Sequence, residues 1–93
     1  KFVYEEKKRV YEKYTALPEL FIYPPTANFI LLNLQRKLTA AELTERLLAQ
    51  GLMIRNCDNY PGLDSYHVRI AIRQAAANDR LFAAISKEVS QSS

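Results

Sequence analysis

The sequence predicts an α+β domain in which a small three- to four-stranded sheet has helices packed on it. Three features predict this class: a helix that begins with a capping box at Thr39, an apolar run of strand length over 28–34, and a clean apolar–polar alternation over 67–73. The 93 residues are enough for one domain. We expect that domain to span 1–93, with a polar tail at 90–93.

The first segment, residues 1–17, has the pattern of an amphipathic helix. Its apolar side chains at helical spacing are Val3, Val10, Tyr14 and Leu17. Most charged residues of the segment fall on other faces. Pro18 cannot continue the helix and marks its end. A short extended piece follows and is broken by Pro24 and Pro25.

Two strands flank a capped helix in the middle of the chain. The nearly continuous apolar run 28–34 is typical of a strand that is covered on both faces. In the following helix, the Thr39 hydroxyl and the Glu42 carboxylate each satisfy an otherwise unpaired backbone amide. Gly51 suits the left-handed conformation after the last helical turn. Residues 52–57 are predicted to form the second strand.

A loop, a third strand and a helix complete the predicted domain. Pro61 and Gly62 form the turn of the loop. In the strand, three apolar residues face one side, and the residues facing the other side are His67, Arg69, Ala71 and Arg73. A final helix runs to Val89 and ends in the polar tail.

The composition argues against several kinds of site. The single cysteine, Cys57, excludes an internal disulfide, and with His67 it leaves no set of metal ligands. We interpret Cys57 as a small buried residue and His67 as a partly exposed polar residue. Two glycines are too few for a glycine-rich phosphate loop.

The charge and hydropathy patterns argue against two kinds of partner. The net charge of +3 is scattered along the chain, and no strand alternates aromatic with basic residues, so no nucleic-acid partner is predicted. No apolar run approaches the ~18 residues that span a membrane, and no signal-peptide pattern is present. We therefore expect no membrane partner and a cytoplasmic location.

Two arginines stand in apolar, strand-like surroundings, Arg55 in "LMIRNC" and Arg69 in "HVRIAIR". Arginine binds carboxylate or phosphate through two parallel hydrogen bonds and stays charged at any working pH. Two such groups on neighbouring strands would suit a substrate with two anionic groups. The alternative is that Arg69 and Arg73 form the solvated face of an edge strand. Spacing alone leaves both interpretations open.

Longer motifs resemble a known family. "YPPTANFILLNL", a capped helix and "GLMIRNCDNYPGLDSYHVRIAIRQAAANDRLFAAI" look like the C-terminal small domain of the fold-type I pyridoxal-phosphate (PLP) enzymes. Within that family the chain is similar to the branch that holds histidinol-phosphate aminotransferase and the L-threonine-O-3-phosphate decarboxylase of cobalamin biosynthesis. The segment "IRNCDNYPGLD" is more characteristic of the decarboxylase.

The resemblance implies a role for each arginine. The position of Arg69 binds the substrate α-carboxylate, and the position of Arg55 helps to bind the substrate phosphate. Arg73 matches a position that we regard as structural. The lysine that binds the cofactor belongs to the large domain of the family, and its motif is missing here. We therefore expect a fragment of a longer enzyme that contains no catalytic residue, binds neither PLP nor metal alone, and is inactive alone.

The parent protein implied by the resemblance is a PLP-dependent decarboxylase acting on O-phospho-L-threonine. Its partners would be the missing large PLP-binding domain, the phosphorylated amino acid and a second copy in a homodimer. An aminotransferase acting on a substrate such as histidinol phosphate is the first alternative. A free-standing α+β binding module is an alternative of another class. If the fragment interpretation is right, the face that meets the large domain should expose apolar surface.

Overall fold

The computed structural model of the protein describes residues 2–25, 28–35, 38–56 and 64–91. Within these ranges, helices pack on a single antiparallel sheet, which confirms the predicted α+β class. The elements in chain order are α1 (Phe2–Thr15), β1 (Phe21–Ile22), β2 (Phe29–Asn33), α2 (Ala40–Leu48), β3 (Arg55–Asn56), β4 (His67–Ala71) and α3 (Ala75–Gln91).

The sheet has the strand order β1-β2-β4-β3, and its neighbouring strands are antiparallel. The long central pair is β2 and β4, in which Leu31 lies opposite Arg69. β4 is therefore a central strand, and the alternative that places Arg69 on an edge strand is wrong. In the described part of the chain the edge strands are β1 and β3, and in β3 Arg55 and Asn56 pair with β4.

One face of the sheet meets the helices and forms the core. Ile30 and Leu32 of β2 have no exposed surface, and neither has Val68 of β4. The fully buried helical side chains in the same cluster are Tyr14, Ala40, Leu43, Leu47, Ile85 and Val89. Burying one such aliphatic side chain contributes roughly 1.5–3 kcal/mol relative to leaving it in water. This layer therefore holds the helices against the sheet.

The opposite face of the sheet is only partly covered. Burial alternates along β2, and its half-buried residues are Phe29, Leu31 and Asn33. The expectation that the run 28–34 is covered on both faces is therefore wrong for the described chain. Phe21 and Met53 are 52% and 76% exposed beside this face. The open face thus exposes two large apolar side chains in the described chain.

The predicted capping box of α2 is confirmed. The Glu42 N–H donates to the Thr39 hydroxyl at 3.1 Å, and the Thr39 N–H donates to the Glu42 carboxylate at 2.9 Å. After the helix, Gly51 has a φ of +80°. The next N–H, of Leu52, donates to the Leu47 carbonyl at 2.9 Å, which is the long bond of a Schellman motif. The left-handed role predicted for Gly51 is therefore also confirmed.

A network of ion pairs joins α1 to α3. Arg9 donates to Glu6 at 2.6 Å and to Asp79 at 2.9 Å, and Lys13 donates to Asp79 at 2.9 Å. Glu6 is only 5% exposed, so its charge requires these partners. α1 ends before Pro18, as its sequence predicts.

Other interpretations of the sequence either fall outside the described residues or are corrected by the structure. Cys57 and the Pro61–Gly62 turn lie outside the described residues. His67 is buried, with 6% of its surface exposed, so its interpretation as a partly exposed residue is wrong. α3 continues through Gln91 and includes part of the segment 90–93. Among the described helices, none combines the length and the apolar character needed to cross a bilayer.

Candidate functional site

Arg55 and Arg69 are direct cross-strand neighbours in the β3–β4 pair. Residues directly opposite each other in an antiparallel pair project from the same face, with Cβ atoms about 4.5–5.5 Å apart. Like charges in such a position repel each other, which costs stability unless a bound anion offsets the repulsion. The structure therefore brings the two predicted site residues together on the open face of the sheet.

The two side chains enter one groove with a volume of about 520 Å³. Its cationic lining consists of Arg55, Arg69 and Arg73. Its apolar lining consists of Phe29, Met53, Ile54 and Ala71. In the described part of the chain, no carboxylate lines the groove. The volume falls within the range of about 300–1,000 Å³ that is usual for small-molecule sites. The groove is thus suited to a small anionic ligand.

Phe29 supports the guanidinium of Arg69. The Arg69 Cζ atom lies 4.3 Å from the centroid of the Phe29 ring, close enough for a cation–π interaction. Phe29 is on β2, opposite Ala71 of β4, and so lies diagonally across from Arg69. Phe29 is not among the site residues predicted from the sequence, because its position beside Arg69 depends on the register between two strands 40 residues apart. The apolar run 28–34 does not alternate, so no local pattern marks Phe29 as a neighbour of Arg69.

Arg73 lies two residues after the end of β4 and is held by its backbone. Its N–H donates to Asn78 Oδ1 at 2.8 Å, and its carbonyl accepts from Asn78 Nδ2 at 2.9 Å. Asn78 is 5% exposed and also donates to Glu6 Oε2 at 2.7 Å. Asn78 of α3, held by Glu6 of α1, thus fixes the path of the backbone just after β4.

Hydrogen bonds to Glu6 keep its carboxylate, which accepts from Asn78, in the charged form. The Arg9 guanidinium, and after it the Asn78 amide, lower the pKa of the Glu6 carboxyl below its ordinary value of 4.5. Burial acts in the opposite direction but does not reverse the shift. Glu6 therefore remains an ionised acceptor for Asn78 at neutral pH.

His67 forms a second polar cluster on the open face. Its Nδ1 lies 2.8 Å from Asp64 Oδ1, and its Nε2 lies 3.3 Å from the Tyr23 hydroxyl. Both ring nitrogens thus have partners, which explains why the imidazole is buried. Within the described ranges, no group of three or more His, Cys, Asp or Glu residues could hold a metal ion.

Comparison with known sequences identifies relatives of the chain. No family model matches it. It is 49% identical over 81 residues to the threonine-phosphate decarboxylase of Salmonella typhimurium, across 87% of this chain and 22% of that protein. It is 33% identical over 85 residues to the histidinol-phosphate aminotransferase of Methanosphaera stadtmanae, across 90% of this chain and 23% of that protein. The chain is a homologue of these enzymes.

Solved structures agree with this homology. The L-threonine-O-3-phosphate decarboxylase of Porphyromonas gingivalis matches with a TM-score of 0.87 and 28% identity, over 95% of this chain and 27% of that chain. The histidinol-phosphate aminotransferase of Clostridium acetobutylicum also gives 0.87, with 29% identity over 96% of this chain and 27% of that chain. The resemblance to this branch of the fold-type I PLP enzymes is confirmed. The chain spans about one quarter of the length of these homologues.

The described residues do not supply a lysine at the groove. Lys7, Lys8 and Lys13 lie on α1, and Lys87 lies on α3. None of the four is among the residues that line the groove. Among the described residues, the groove therefore offers guanidinium groups for anions and no amine.

Proposed function

We propose that this chain is the substrate-clamping small domain of a PLP-dependent decarboxylase that acts on O-phospho-L-threonine. The observation that carries this proposal is the pair formed by Arg55 and Arg69, directly opposite each other in one groove. In the proposal, Arg69 binds the α-carboxylate and Arg55 binds the phosphate. Each guanidinium makes charge-assisted hydrogen bonds, and two-point binding fixes the orientation of the substrate.

The surroundings of the two side chains support this division of roles. Arg69 is half-buried on a central strand with its guanidinium against the Phe29 ring. Arg55 is exposed on the short edge strand β3. The better-supported residue suits the carboxylate, whose orientation decides which bond at the α-carbon breaks. PLP supplies the electron sink for that step in enzymes of this family.

The comparison of sequences favours the decarboxylase over the aminotransferase. The identity is 49% to the threonine-phosphate decarboxylase and 33% to the histidinol-phosphate aminotransferase, over similar lengths. The fold does not separate the two, because both solved structures give a TM-score of 0.87. An aminotransferase acting on a phosphorylated amino alcohol therefore remains the second candidate. It would use the same two arginines.

The free-standing binding module has less support than either enzyme. The homologues are about four times as long as this chain, which favours a large cofactor-binding domain as the missing partner. We include in the proposal that the parent enzyme is a cytoplasmic homodimer and belongs to cobalamin biosynthesis. The lysine that binds PLP would come from the large domain.

Product analysis of the complete enzyme tests the proposal. The enzyme is incubated with O-phospho-L-threonine, and separately with histidinol phosphate and a 2-oxo acid acceptor. We expect release of carbon dioxide from the first substrate and little amino transfer with the second. The reverse result would replace the decarboxylase with the aminotransferase.

A second experiment tests the role of the chain itself. PLP is titrated against residues 1–93 and against the complete enzyme, and the absorbance of the bound cofactor is followed. We expect saturable binding and activity only for the complete enzyme. A stoichiometric complex of PLP with residues 1–93 would contradict the assignment of the cofactor site to another domain.

A further inference from the structure

We infer that Arg73 is a third anion-binding residue of the groove and that it determines specificity for a phosphorylated substrate. This inference rests on the proposed function. Arg73 lines the same groove as Arg55 and Arg69. It follows Arg69 at an interval of four residues, and the residue midway between them in the groove lining is the small Ala71. The short Ala71 side chain leaves room between the two guanidinium groups.

The backbone of Arg73 is held more firmly than an ordinary surface residue requires. Both its N–H and its carbonyl bond to the buried Asn78, at 2.8 and 2.9 Å. The preceding N–H, of Ile72, donates to the Asn28 carbonyl at 2.7 Å. Asn78 is itself fixed by Glu6. The exposed Arg73 side chain therefore starts from a fixed point, which lowers the entropic cost of binding a ligand.

The number of charges in the groove fits a phosphorylated amino acid. A phosphate monoester carries about −1.5 to −2 charges at pH 7, and the α-carboxylate adds one more. Among the described residues, three guanidinium groups and no carboxylate line the groove. With Arg69 on the carboxylate, Arg55 alone would leave part of the phosphate charge unmatched. Arg73 supplies the missing charge.

Arg73 has no competing structural partner in the described chain. The described ion pairs lie within α1, between α1 and α3, between α2 and α3, and between Asp64 and His67, and none includes Arg73. Its side chain is exposed and also lines a neighbouring groove with Arg80. Replacing the side chain leaves both backbone bonds to Asn78 in place, so variants of Arg73 should fold.

The test compares three variants of the complete enzyme: Arg73→Gln, Arg73→Lys and the control Arg80→Gln. Arg80 is also exposed, and it lines the neighbouring groove without being among the residues that line the first one. Inorganic phosphate is the probe, measured as a competitive inhibitor and as a stabilising ligand in thermal unfolding. KM and kcat are measured for O-phospho-L-threonine and for L-threonine.

We expect Arg73→Gln to weaken phosphate inhibition, and to raise KM for O-phospho-L-threonine, by about tenfold, since one charge-assisted contact is lost. KM for L-threonine should stay within about twofold, because that substrate has no phosphate. Arg73→Lys should fall between wild type and Arg73→Gln, since it keeps the charge without the planar fork. Arg80→Gln should resemble wild type in all these measurements.

Two results would overturn the inference. If Arg73→Gln and Arg80→Gln weaken phosphate binding equally, overall surface charge is sufficient to explain that binding. Phosphate binding that is lost in Arg55→Ala but unchanged in Arg73→Gln would remove Arg73 and leave the proposed function intact. If wild-type enzyme does not prefer phosphorylated substrates, the proposed function fails instead. Stabilisation by phosphate that disappears in Arg73→Gln alone would then still support the anion site.

Discussion

Arg69 lies directly opposite Arg55 across the β3–β4 pair, and both side chains line the same groove. The two residues nevertheless differ in their surroundings. Arg69 is half-buried against Phe29, whereas Arg55 is exposed at the edge of the sheet. Their replacement should therefore have different consequences in the complete enzyme.

Arg55→Ala should weaken binding of O-phospho-L-threonine by tenfold or more, because charge-assisted hydrogen bonds contribute about 1.5–3 kcal/mol. It should affect L-threonine far less, since that substrate has no phosphate to bind. Steady-state kinetics with both substrates measure the difference. An equal loss for both substrates would contradict the assignment of Arg55 to the phosphate.

Arg69→Lys should impair the choice of bond as well as binding. Lysine keeps the charge but cannot hold the carboxylate in the plane of a guanidinium fork. We expect less carbon dioxide per substrate consumed and more product of abortive transamination. The measurement is the ratio of these two products in wild type, Arg69→Lys and Arg55→Ala. The same ratio in all three proteins would show that the arginines do not divide the work in this way.

Phe29→Leu should raise KM for O-phospho-L-threonine without changing the fold. Leucine keeps an apolar side chain on β2 but removes the aromatic face beneath Arg69. A cation–π contact contributes about 0.5–1 kcal/mol at a partly exposed site, so KM should rise roughly two- to fivefold. Phe21→Leu is the matched control, because Phe21 is exposed on β1 and is not a lining residue of the groove. A similar rise in both variants would rule out a specific role for Phe29.

Asn78→Asp should destabilise the protein at neutral pH. The new oxygen would replace Nδ2 and face two acceptors, the Arg73 carbonyl and Glu6 Oε2. Loss of two donated bonds and a second buried negative charge should cost on the order of 2–4 kcal/mol. Urea unfolding at pH 7 measures the loss. Asp79→Asn is the control at the neighbouring position. It removes exposed ion pairs with Arg9 and Lys13 and should lower the free energy of unfolding clearly less.

Acid should destabilise the protein as the pH falls below about 4.5. Hydrogen bonds from Arg9 and then Asn78 lower the pKa of Glu6 from its ordinary value of 4.5. Lys13 and Arg9 likewise lower the pKa of Asp79 from 3.8. Carboxyls whose pKa is lower in the folded state stabilise that state above their unfolded pKa. This contribution is lost as the pH falls through the lower, folded pKa.

Thermal unfolding between pH 7 and pH 3 tests this dependence, with Glu6→Gln as the comparison. The variant should be less stable than wild type at pH 7, because it loses the charge that binds Arg9. Its stability should fall less steeply between pH 4.5 and pH 3. Parallel curves of melting temperature against pH for the two proteins would show that Glu6 does not contribute to the loss of stability in acid.

Local patterns were enough to predict much of this structure. The capping box of Thr39 and Glu42 depends on residues three positions apart, and the left-handed Gly51 depends on the helix just before it. The alternation over 67–73 correctly separated the buried Val68 and Ile70 from Arg69, although it did not predict the burial of His67. Such features follow from the sequence because their physical causes lie within a few residues.

The amino-acid sequence by itself determined the α+β class, the capped helix and the two arginines on strands. Only the tertiary structure decided what lies beside those arginines. The order β1-β2-β4-β3 made β4 central, brought Phe29 to Arg69, and left one sheet face open. The bond from Asn78 to Glu6 joins residues 72 positions apart. These relationships depend on how distant segments pair and pack, because strand register and helix docking are set by the shared core and not by neighbours in sequence.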